Sequence, residues 1–348
     1  MADRKRIDLA LQGGGAHGAF TWGVLDRILE DKRLEIAGIS GASAGAMNGV
    51  VLADGFERDG VEGARKALEA FWRGVSDASG GSFMDGAHWR KWAGYWGLDQ
   101  TPLVSWFDLM SRFASPYDFN PLNLNPLRDQ LIKQVDFDRL RQADSFDLFV
   151  TATNVETGRP RVFRRRELTA DHLMASACLP TVYQAVMIDG VPYWDGGYMG
   201  NPSLWPLFYG DASDDVILVK INPIERKGAP RTARAILDRL NEITFNASLL
   251  REFRAIDFVQ RLIHSGRLKD AGYRDPRIHI IGDDDLMTSI GESSKYLTEW
   301  PFLTMLRDQG REAAHAWLEK HYEDLGKAGT VNLRAMFQGD DDGVMGES

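Results

Sequence analysis

Residues 36–50 read Ile-Ala-Gly-Ile-Ser-Gly-Ala-Ser-Ala-Gly-Ala-Met-Asn-Gly-Val, and this stretch decides the fold. Its first part, residues 36–40, is apolar like a buried strand, and a run of small residues that suits a helix begins at Ala46. Between them, Gly41-Ala42-Ser43-Ala44-Gly45 matches the G-x-S-x-G pattern of a sharp turn from strand to helix. Because such a turn exposes a hydroxyl at a helix N-terminus, Ser43 is the candidate nucleophile.

A glycine-rich loop precedes this turn in an earlier strand-loop-helix unit. Ile7, Leu9 and Leu11 alternate as in a strand, Gly13-Gly14-Gly15-Ala16-His17-Gly18 follows, and apolar residues then recur at helical spacing from Phe20. The loop also fits the phosphate-binding G-x-G-x-x-G pattern, but a dinucleotide site needs an acidic residue at the end of the next strand. In this chain the next strand ends at the turn around Ser43 instead, where no acidic residue stands. Backbone N–H groups that stabilise an oxyanion are the favoured role, with a phosphate loop or a purely structural turn as alternatives.

Further elements predict an α/β fold. Apolar strands at residues 146–151, 216–221 and 278–281 are separated by helical patterns, which favours a mainly parallel sheet with helices on both faces. Residues 183–195 predict a hairpin whose turn is Asp189-Gly190. A long amphipathic helix is expected from about Ala233 to Ile263, with one apolar stripe covering the sheet. The stripe consists of Ile236, Leu240, Ile243, Ala247 and Leu250.

Composition excludes several classes of protein. The 348 residues include 41 basic and 50 acidic side chains, and a net charge of -9 argues against a nucleic-acid partner. A single cysteine, Cys178, excludes an internal disulfide and a cysteine-rich metal site. Residues 1–6 are basic but no apolar signal core follows them, so we expect a cytoplasmic protein.

Ser43 needs a base, and the seven histidines offer no convincing one. His17 lies in the glycine loop, and His279 lies within an apolar strand as a packed residue would. Asp195-Gly196-Gly197 is different, because it places a carboxylate at a strand end with two glycines that leave room beside it. An aspartate within reach of the Ser43 hydroxyl could take its proton, although a structural aspartate at the end of a hairpin fits the pattern equally well.

The order of the motifs resembles the patatin-like phospholipase family. The glycine loop, the turn around Ser43, the run from Ala175-Ser176 to Pro180, and Asp195-Gly196-Gly197 follow one another as in that family. The resemblance implies a three-layer α/β/α fold related to that of cytosolic phospholipase A2. The enzyme that it implies acts on lipid acyl esters without a metal or a cofactor. It also implies a Ser-Asp dyad of Ser43 and Asp195 that needs no histidine.

The same resemblance assigns the remaining site residues. The N–H groups of Gly14, Gly15 and Ala16 would line an oxyanion hole, and Gly13 would position that loop. His17 stands where the family motif often has Lys or Arg, so no charge-based role is carried over to it. The supporting glycines are Gly13, Gly18, Gly41, Gly45, Gly196 and Gly197.

The expected organisation is a single catalytic domain over residues 1–337 followed by an acidic tail at 338–348. A tryptophan-rich insertion at about 71–126 carries Trp89, Trp92 and Trp96 on one face of a predicted helix. These side chains would form a lid or a peripheral membrane contact, or else pack in the core. The oligomeric state stays open.

The expected function is therefore hydrolysis of fatty-acyl esters by an acyl-enzyme mechanism. The alternatives are an acyltransferase that uses the same serine, as in the malonyl transacylases whose fold is similar, and a depolymerase of storage polyesters. A dinucleotide-binding oxidoreductase and an inactive lipid-binding module are further alternatives.

Overall fold

The computed structural model describes residues 4–80, 115–209, 213–268 and 272–339, and its centre is an eight-stranded sheet. The strands are β1 Lys5–Leu11, β2 Leu34–Ala42, β3 Asp147–Asn154, β4 Pro160–Arg164, β5 Val186–Ile188, β6 Val191–Asp195, β7 Asp215–Lys220 and β8 Arg277–Gly282. The α-helices of these ranges are α1 Gly18–Glu30, α2 Ala44–Gly80, α3 Pro116–Phe119, α4 Pro126–Gln134, α5 Phe137–Gln142, α6 Ala170–Ser176, α7 Ala233–His264, α8 Asp284–Ile290, α9 Trp300–His321 and α10 Leu333–Gln338.

The sheet is mainly parallel, as the sequence predicts. Strands β3, β2, β1, β7 and β8 pair in that order, and each of these pairs is parallel. β4 and β6 pair with β3 in the antiparallel sense, and β5 completes a hairpin with β6. The hairpin turns at Asp189 and Gly190, both with positive φ, which confirms the predicted two-residue turn.

The pairing with β3 places the ends of β2 and β6 beside each other. β2 pairs with β3 up to Thr151, and β6 pairs with it from Ala152 onwards. β4 pairs with residues on both sides of this point and so occupies the other edge of β3. Since a strand has two edges, β2 and β6 share one edge, where Ala42 lies opposite Thr151 and Asp195 lies opposite Ala152. Ser43 and Asp195 therefore come together at the carboxyl end of the parallel strands.

Helices cover both faces of the sheet, which confirms the three-layer α/β/α fold. One buried apolar cluster joins the sheet to α1, α2 and α9, and a second joins its other face to α7 and α10. α2 is kinked at Asp59–Gly60, where the backbone leaves helical geometry. None of the described helices combines the length and the apolarity that crossing a membrane requires.

Two glycines allow α1 and α9 to touch through their backbones. A Cβ added to Gly310 would lie 2.0 Å from the carbonyl oxygen of Phe20, and one added to Gly23 would lie 1.9 Å from that of Arg307. A carbon atom cannot lie so close to an oxygen atom to which it is not bonded, so the helices would have to separate. This contact matters for the glycine loop, because that loop leads directly into α1.

We expect Gly310→Val to destabilise the protein by about 3 kcal/mol, because separating two packed helices costs about as much as overfilling a core. Thermal unfolding followed by circular dichroism measures the effect. Gln309→Val is the matched control, since Gln309 is the preceding residue of the same helix and is exposed. Equal melting temperatures for the two variants would contradict the close approach.

Helix α7 forms almost as predicted, but the expected direction of its apolar stripe is wrong for the N-terminal half, whereas Leu250 packs against the second apolar cluster as expected. Ile236, Leu240 and Ile243 are exposed. The side of the N-terminal half that faces the protein carries Glu242 and Asn246 instead. These two polar groups are buried because partners satisfy them: Arg226 and Arg239 bind Glu242, while Asn246 donates to the carbonyl of Pro223.

The predicted tryptophan-rich insertion falls largely outside the described residues, as do Trp89, Trp92 and Trp96. At its start, α2 continues to Gly80, and Phe71 and Trp72 pack in the core. At its end, residues 116–119 form the short helix α3. Nearly all of the acidic tail lies outside the described residues too.

Candidate active site

Ser43 occupies a strained turn between β2 and α2. Its φ of 51° lies in the left-handed region that a residue with a β-carbon seldom adopts. Its carbonyl accepts the first bond of the helix, from the N–H of Met47 at 3.0 Å. The serine therefore stands at the helix N-terminus, as the G-x-S-x-G pattern predicts, where the helix dipole favours negative charge. Only 9% of its surface is exposed.

The glycines flanking Ser43 are needed because other backbone lies against them. A Cβ on Gly45 would lie 2.1 Å from the carbonyl oxygen of Leu11, and a Cβ on Gly41 would lie 2.7 Å from the nitrogen of Ala46. Any larger residue at either position would force the turn apart.

Ser176 holds the turn from the other side. Its hydroxyl accepts the N–H of Ser43 at 2.9 Å and donates to the carbonyl of Thr151 at 2.6 Å. This bridge ties the strained turn to β3, so the structure surrounding Ser43 keeps its backbone in place. It also explains why the Ala175-Ser176 run belongs to the ordered motifs.

The glycine loop packs directly against the serine. A Cβ on Gly13 would lie 2.7 Å from the Cβ of Ser43, and a Cβ on Gly18 would lie 2.8 Å from that of Ala44. Gly15 has a φ of +57° and starts a 3₁₀ turn, Gly15–His17, that runs into α1. Because the first N–H groups of a helix have no carbonyl of their own helix to bind, this loop presents donors beside Ser43.

Buried amides anchor the first glycine of the loop. The N–H of Gly13 donates to Oδ1 of Asn201 at 2.6 Å, and the carbonyl of Gly13 accepts from Nδ2 of Asn222 at 2.8 Å. Oε1 of Gln12 accepts from the backbone N–H groups of Ile221 and Asn222 at 2.9 and 3.0 Å. These contacts occupy both backbone groups of Gly13 and hold the start of the loop in place.

Asp195 lies at the end of β6, completely buried. Its Oδ1 accepts the N–H of Gly197 at 2.7 Å, and its own N–H donates to the carbonyl of Cys178 at 2.8 Å. Among the described residues, Oδ2 has no partner within normal hydrogen-bond geometry. The hydroxyl of Ser43 nevertheless lies close enough to lower the pKa of the carboxyl. The two groups therefore lie next to each other at the edge of β3 that β2 and β6 share.

Burial sets the proton affinity of this carboxyl. Desolvation raises the pKa of Asp195 from 3.8 to about 7, against the opposing effects of the Gly197 N–H, the Ser43 hydroxyl and the charge of Lys295. A carboxyl with a pKa near neutrality can both take and return a proton at physiological pH. This is the property that a base acting alone on a serine requires.

The described histidines take no part in this contact. Each of the six is hydrogen-bonded to another side chain, and His88 lies outside the described residues. The pairs are His17 with Ser294, His172 with Thr169, His264 with Asp275, His279 with Asp215, His315 with Arg27, and His321 with Asp324. His279 is fully buried in its strand, as the sequence predicts.

His17 is a neutral side chain of the glycine loop. Burial, followed by the charge of Lys295, lowers its pKa to about 3. Its Nε2 lies 2.6 Å from the hydroxyl of Ser294, and that hydroxyl donates to the carbonyl of Gly291. Nε2 therefore carries the proton of the neutral ring, and His17 brings no positive charge to the site.

Lys295, a residue that the sequence does not single out, brings a positive charge close to the site. Its Nζ lies 2.7 Å from Oδ1 of Asn222 and 2.6 Å from a carboxylate oxygen of Glu292. Its backbone oxygen lies 2.5 Å from where a Cβ of Gly15 would be, so the 3₁₀ turn Glu292–Tyr296 packs on the glycine loop. No motif marks Lys295, and more than 250 residues separate it from the loop it touches.

Among the residues that the structure describes, no three His, Cys, Asp or Glu side chains come together as metal ligands would. The site instead brings together a strained serine hydroxyl, a buried carboxyl and the N–H groups of a helix N-terminus. These are the groups that nucleophilic acyl transfer needs.

Comparison with known proteins shows the family of this chain. The family model described as patatin-like phospholipase matches residues 9–208, which is more than half of the chain. A search of curated proteins gives no match. Among solved structures, VipD from Legionella pneumophila is similar with a TM-score of 0.44 and 16% sequence identity, over 91% of this chain and 67% of that one. On the strength of the family model, the chain belongs to the patatin-like phospholipase family, whose members are lipid acyl hydrolases.

Proposed function

We propose that this chain is a serine acyl hydrolase that cleaves fatty-acyl ester bonds of lipids with a dyad of Ser43 and Asp195. In the first half-reaction, Oγ of Ser43 attacks the ester carbonyl carbon while Oδ2 of Asp195 takes the hydroxyl proton. The carbonyl oxygen becomes an oxyanion. As the carbon–oxygen bond to the alcohol breaks, Asp195 returns the proton to the leaving alcohol, and the acyl group stays on Ser43.

Water completes the second half-reaction. Asp195 takes a proton from the water as its oxygen attacks the acyl-enzyme carbonyl. The new oxyanion then collapses, Oγ leaves and recovers the proton from Asp195, and the fatty acid is released. No metal or cofactor enters either step.

The oxyanion hole of the proposal consists of the N–H groups of Gly14, Gly15 and Ala16. Their support is the position of the loop, whose first glycine touches Ser43 and which leads into the N-terminus of α1. Donors fixed in advance by a helix and by buried amides need no reorganisation when negative charge develops.

The positive φ of Ser43 beside the buried Asp195 is the observation that carries the proposal. A hydroxyl held in a strained backbone and a carboxyl with a pKa near 7 both cost folding free energy, and a purely structural turn needs neither. A peripheral contact with membranes belongs to the same proposal, because long-chain lipids reside there.

A fluorophosphonate probe tests the proposal. We expect one covalent adduct on the peptide that contains Ser43, and release of fatty acid from a panel of phospholipids, lysophospholipids, glycerides and polyesters. Supplying an acceptor alcohol separates hydrolysis from acyl transfer: acyl label that goes mainly to the alcohol would favour a transferase. No adduct and no turnover of any ester would refute the proposal.

Lys295 gives a further prediction, since its charge lowers the pKa of Asp195. We expect Lys295→Met to raise that pKa and to move the rise of kcat/KM with pH to higher pH, with about two- to threefold less activity at pH 7. Lys295→Arg keeps the charge and should restore most of the profile. A profile for Lys295→Met that coincides with the parent profile would show that the ammonium has no electrostatic role.

A further inference from the structure

The N-terminal half of α7 exposes a continuous aliphatic surface. Ile236, Leu237, Leu240 and Ile243, here called the aliphatic stripe, are exposed by 43%, 51%, 53% and 50%. Asn241 and Thr244, the exposed neighbours of these residues along the helix, are uncharged. Isolated apolar side chains are common on protein surfaces, but four on one helix face mark a surface that another apolar phase covers.

The aliphatic stripe adjoins the candidate site. One turn further along α7, the ring of Phe245 packs on Tyr198 with centroids 5.0 Å apart, and it lies where a Cβ of Gly197 would be. Asn246 then reaches Gln12, next to the glycine loop. The helix that carries the stripe therefore borders the dyad directly.

A second exposed apolar segment lies beside this half of the helix. Tyr296 and Leu297 are exposed at the end of the 3₁₀ turn that carries Lys295. A contact between Glu292 of that turn and Glu242 of α7 joins the two elements. Apolar surface therefore borders the site from both elements.

Basic residues accompany the stripe although the chain is acidic overall. Residues 225–242 contain five Arg or Lys, of which Arg226 and Arg239 bind Glu242, and three Asp or Glu, whereas the whole chain has a net charge of -9. Further along the exposed face of α7, Arg251 and Arg254 line a cleft of about 820 Å³ together with Phe258. Neither of these arginines forms an ion pair with a described residue. A helix face with aliphatic and basic halves suits an interface between anionic headgroups and acyl chains.

We propose that the exposed face of α7 docks this protein on an anionic lipid surface, with the aliphatic stripe inserted among the acyl chains and Arg251 and Arg254 among the headgroups. The proposal rests on the proposed function only in taking lipid as the substrate. Docking brings the helix that borders Ser43 and Asp195 to the membrane, so an acyl chain has a short path from the lipid layer to the dyad.

A second copy of the chain would satisfy the face less well. An antiparallel pair centred on the stripe would bury it but would place Arg251 and Arg254 opposite the Arg- and Lys-rich segment before α7 of the other copy. An anionic lipid layer supplies both the apolar phase and the negative charge.

Vesicle flotation of the full chain carrying Ser43→Ala tests the docking without hydrolysis of the vesicles. We expect binding to vesicles of phosphatidylcholine with phosphatidylglycerol, and weaker binding to phosphatidylcholine alone. Adding Leu240→Asp and Ile243→Asp should lower the partition coefficient by at least about tenfold, because each aliphatic side chain contributes through its burial. Adding Arg251→Gln and Arg254→Gln should remove most of the preference for the anionic vesicles.

Val61→Asp is the matched control, since Val61 is an exposed aliphatic residue of α2 beyond its kink, away from the site. It should bind vesicles as the parent does. Two results would overturn the proposal. One is that the stripe variant binds vesicles as strongly as this control does. The other is that the chain does not bind vesicles but forms a dimer in light scattering that the stripe substitutions dissociate. In the chain with Ser43 intact, the stripe substitutions should leave turnover of a short soluble ester unchanged. Vesicle binding without turnover of any ester would refute the proposed function and leave the docking surface in place.

Discussion

Ser43→Ala is expected to lower kcat/KM for a fluorogenic acyl ester by about 10⁴-fold or more, with the fold unchanged. Removing a nucleophile eliminates the acyl-enzyme route, and only the contribution of binding and of the oxyanion donors remains. Initial rates over a range of ester concentrations measure the loss. The fluorophosphonate adduct should disappear in the same variant.

Ser40→Ala is the matched control for this substitution. Ser40 is a buried serine of β2, three residues before Ser43, and its hydroxyl donates to the carbonyl of Ser203 at 2.6 Å. The loss of that bond costs stability of about 1 kcal/mol but should leave turnover near the parent value. Ser43→Ala that retains more than a tenth of the parent kcat/KM would rule out Ser43 as the nucleophile.

Asp195→Asn is expected to lower kcat/KM by about 10³- to 10⁴-fold, because an amide of similar shape cannot accept the proton of Ser43. In the parent, kcat/KM should rise with pH and level off above about 7, since the carboxyl is the base only when ionised and its pKa is about 7. A rise centred near pH 4 would show that the carboxyl titrates like an exposed one. Full activity in Asp195→Asn that depends on a histidine would replace the dyad by a triad.

The same substitution, Asp195→Asn, should increase the stability of the protein although it lowers the activity. The pKa of Asp195 is higher in the folded protein than its ordinary value of 3.8, so the folded state binds the proton more tightly than the unfolded state does. The free energy of unfolding therefore falls as the pH rises from about 4 through 7. Asp195→Asn removes this loss and should raise the melting temperature at pH 8 above that of the parent.

Asp8 offers a matched control for both the turnover and the melting temperature. It is fully buried in β1, and desolvation raises its pKa to about 7 as well, but it lies before the end of its strand and does not enter the site. Asp8→Asn should reproduce the gain in melting temperature at pH 8 while turnover stays near that of the parent. Loss of activity in this control would show that any buried carboxyl of the sheet affects turnover.

Local sequence determined much of the fold and of the candidate site. The strand before Ser43, its flanking glycines and the glycine loop act through backbone geometry within a few residues, so their pattern is readable in the chain. The alternation of strands and helices likewise predicts the parallel sheet, and thereby the edge where the loops gather. The hairpin and the two glycines after it mark Asp195 as a carboxylate at a strand end, but only the resemblance to the family assigned it to Ser43.

Only the tertiary structure decided which distant groups complete the site. Lys295, Asn201 and Asn222 meet the glycine loop through contacts that span about 190 to 280 positions, and no local pattern records such contacts. Tertiary packing also decided the direction of the stripe on α7. Arg226 and Arg239 satisfy the charge of Glu242 inside the protein, which lets a polar face turn inward and leaves the aliphatic face outside. Periodicity predicts that a helix has an apolar face, but burial depends on the partners that the rest of the chain brings to each face.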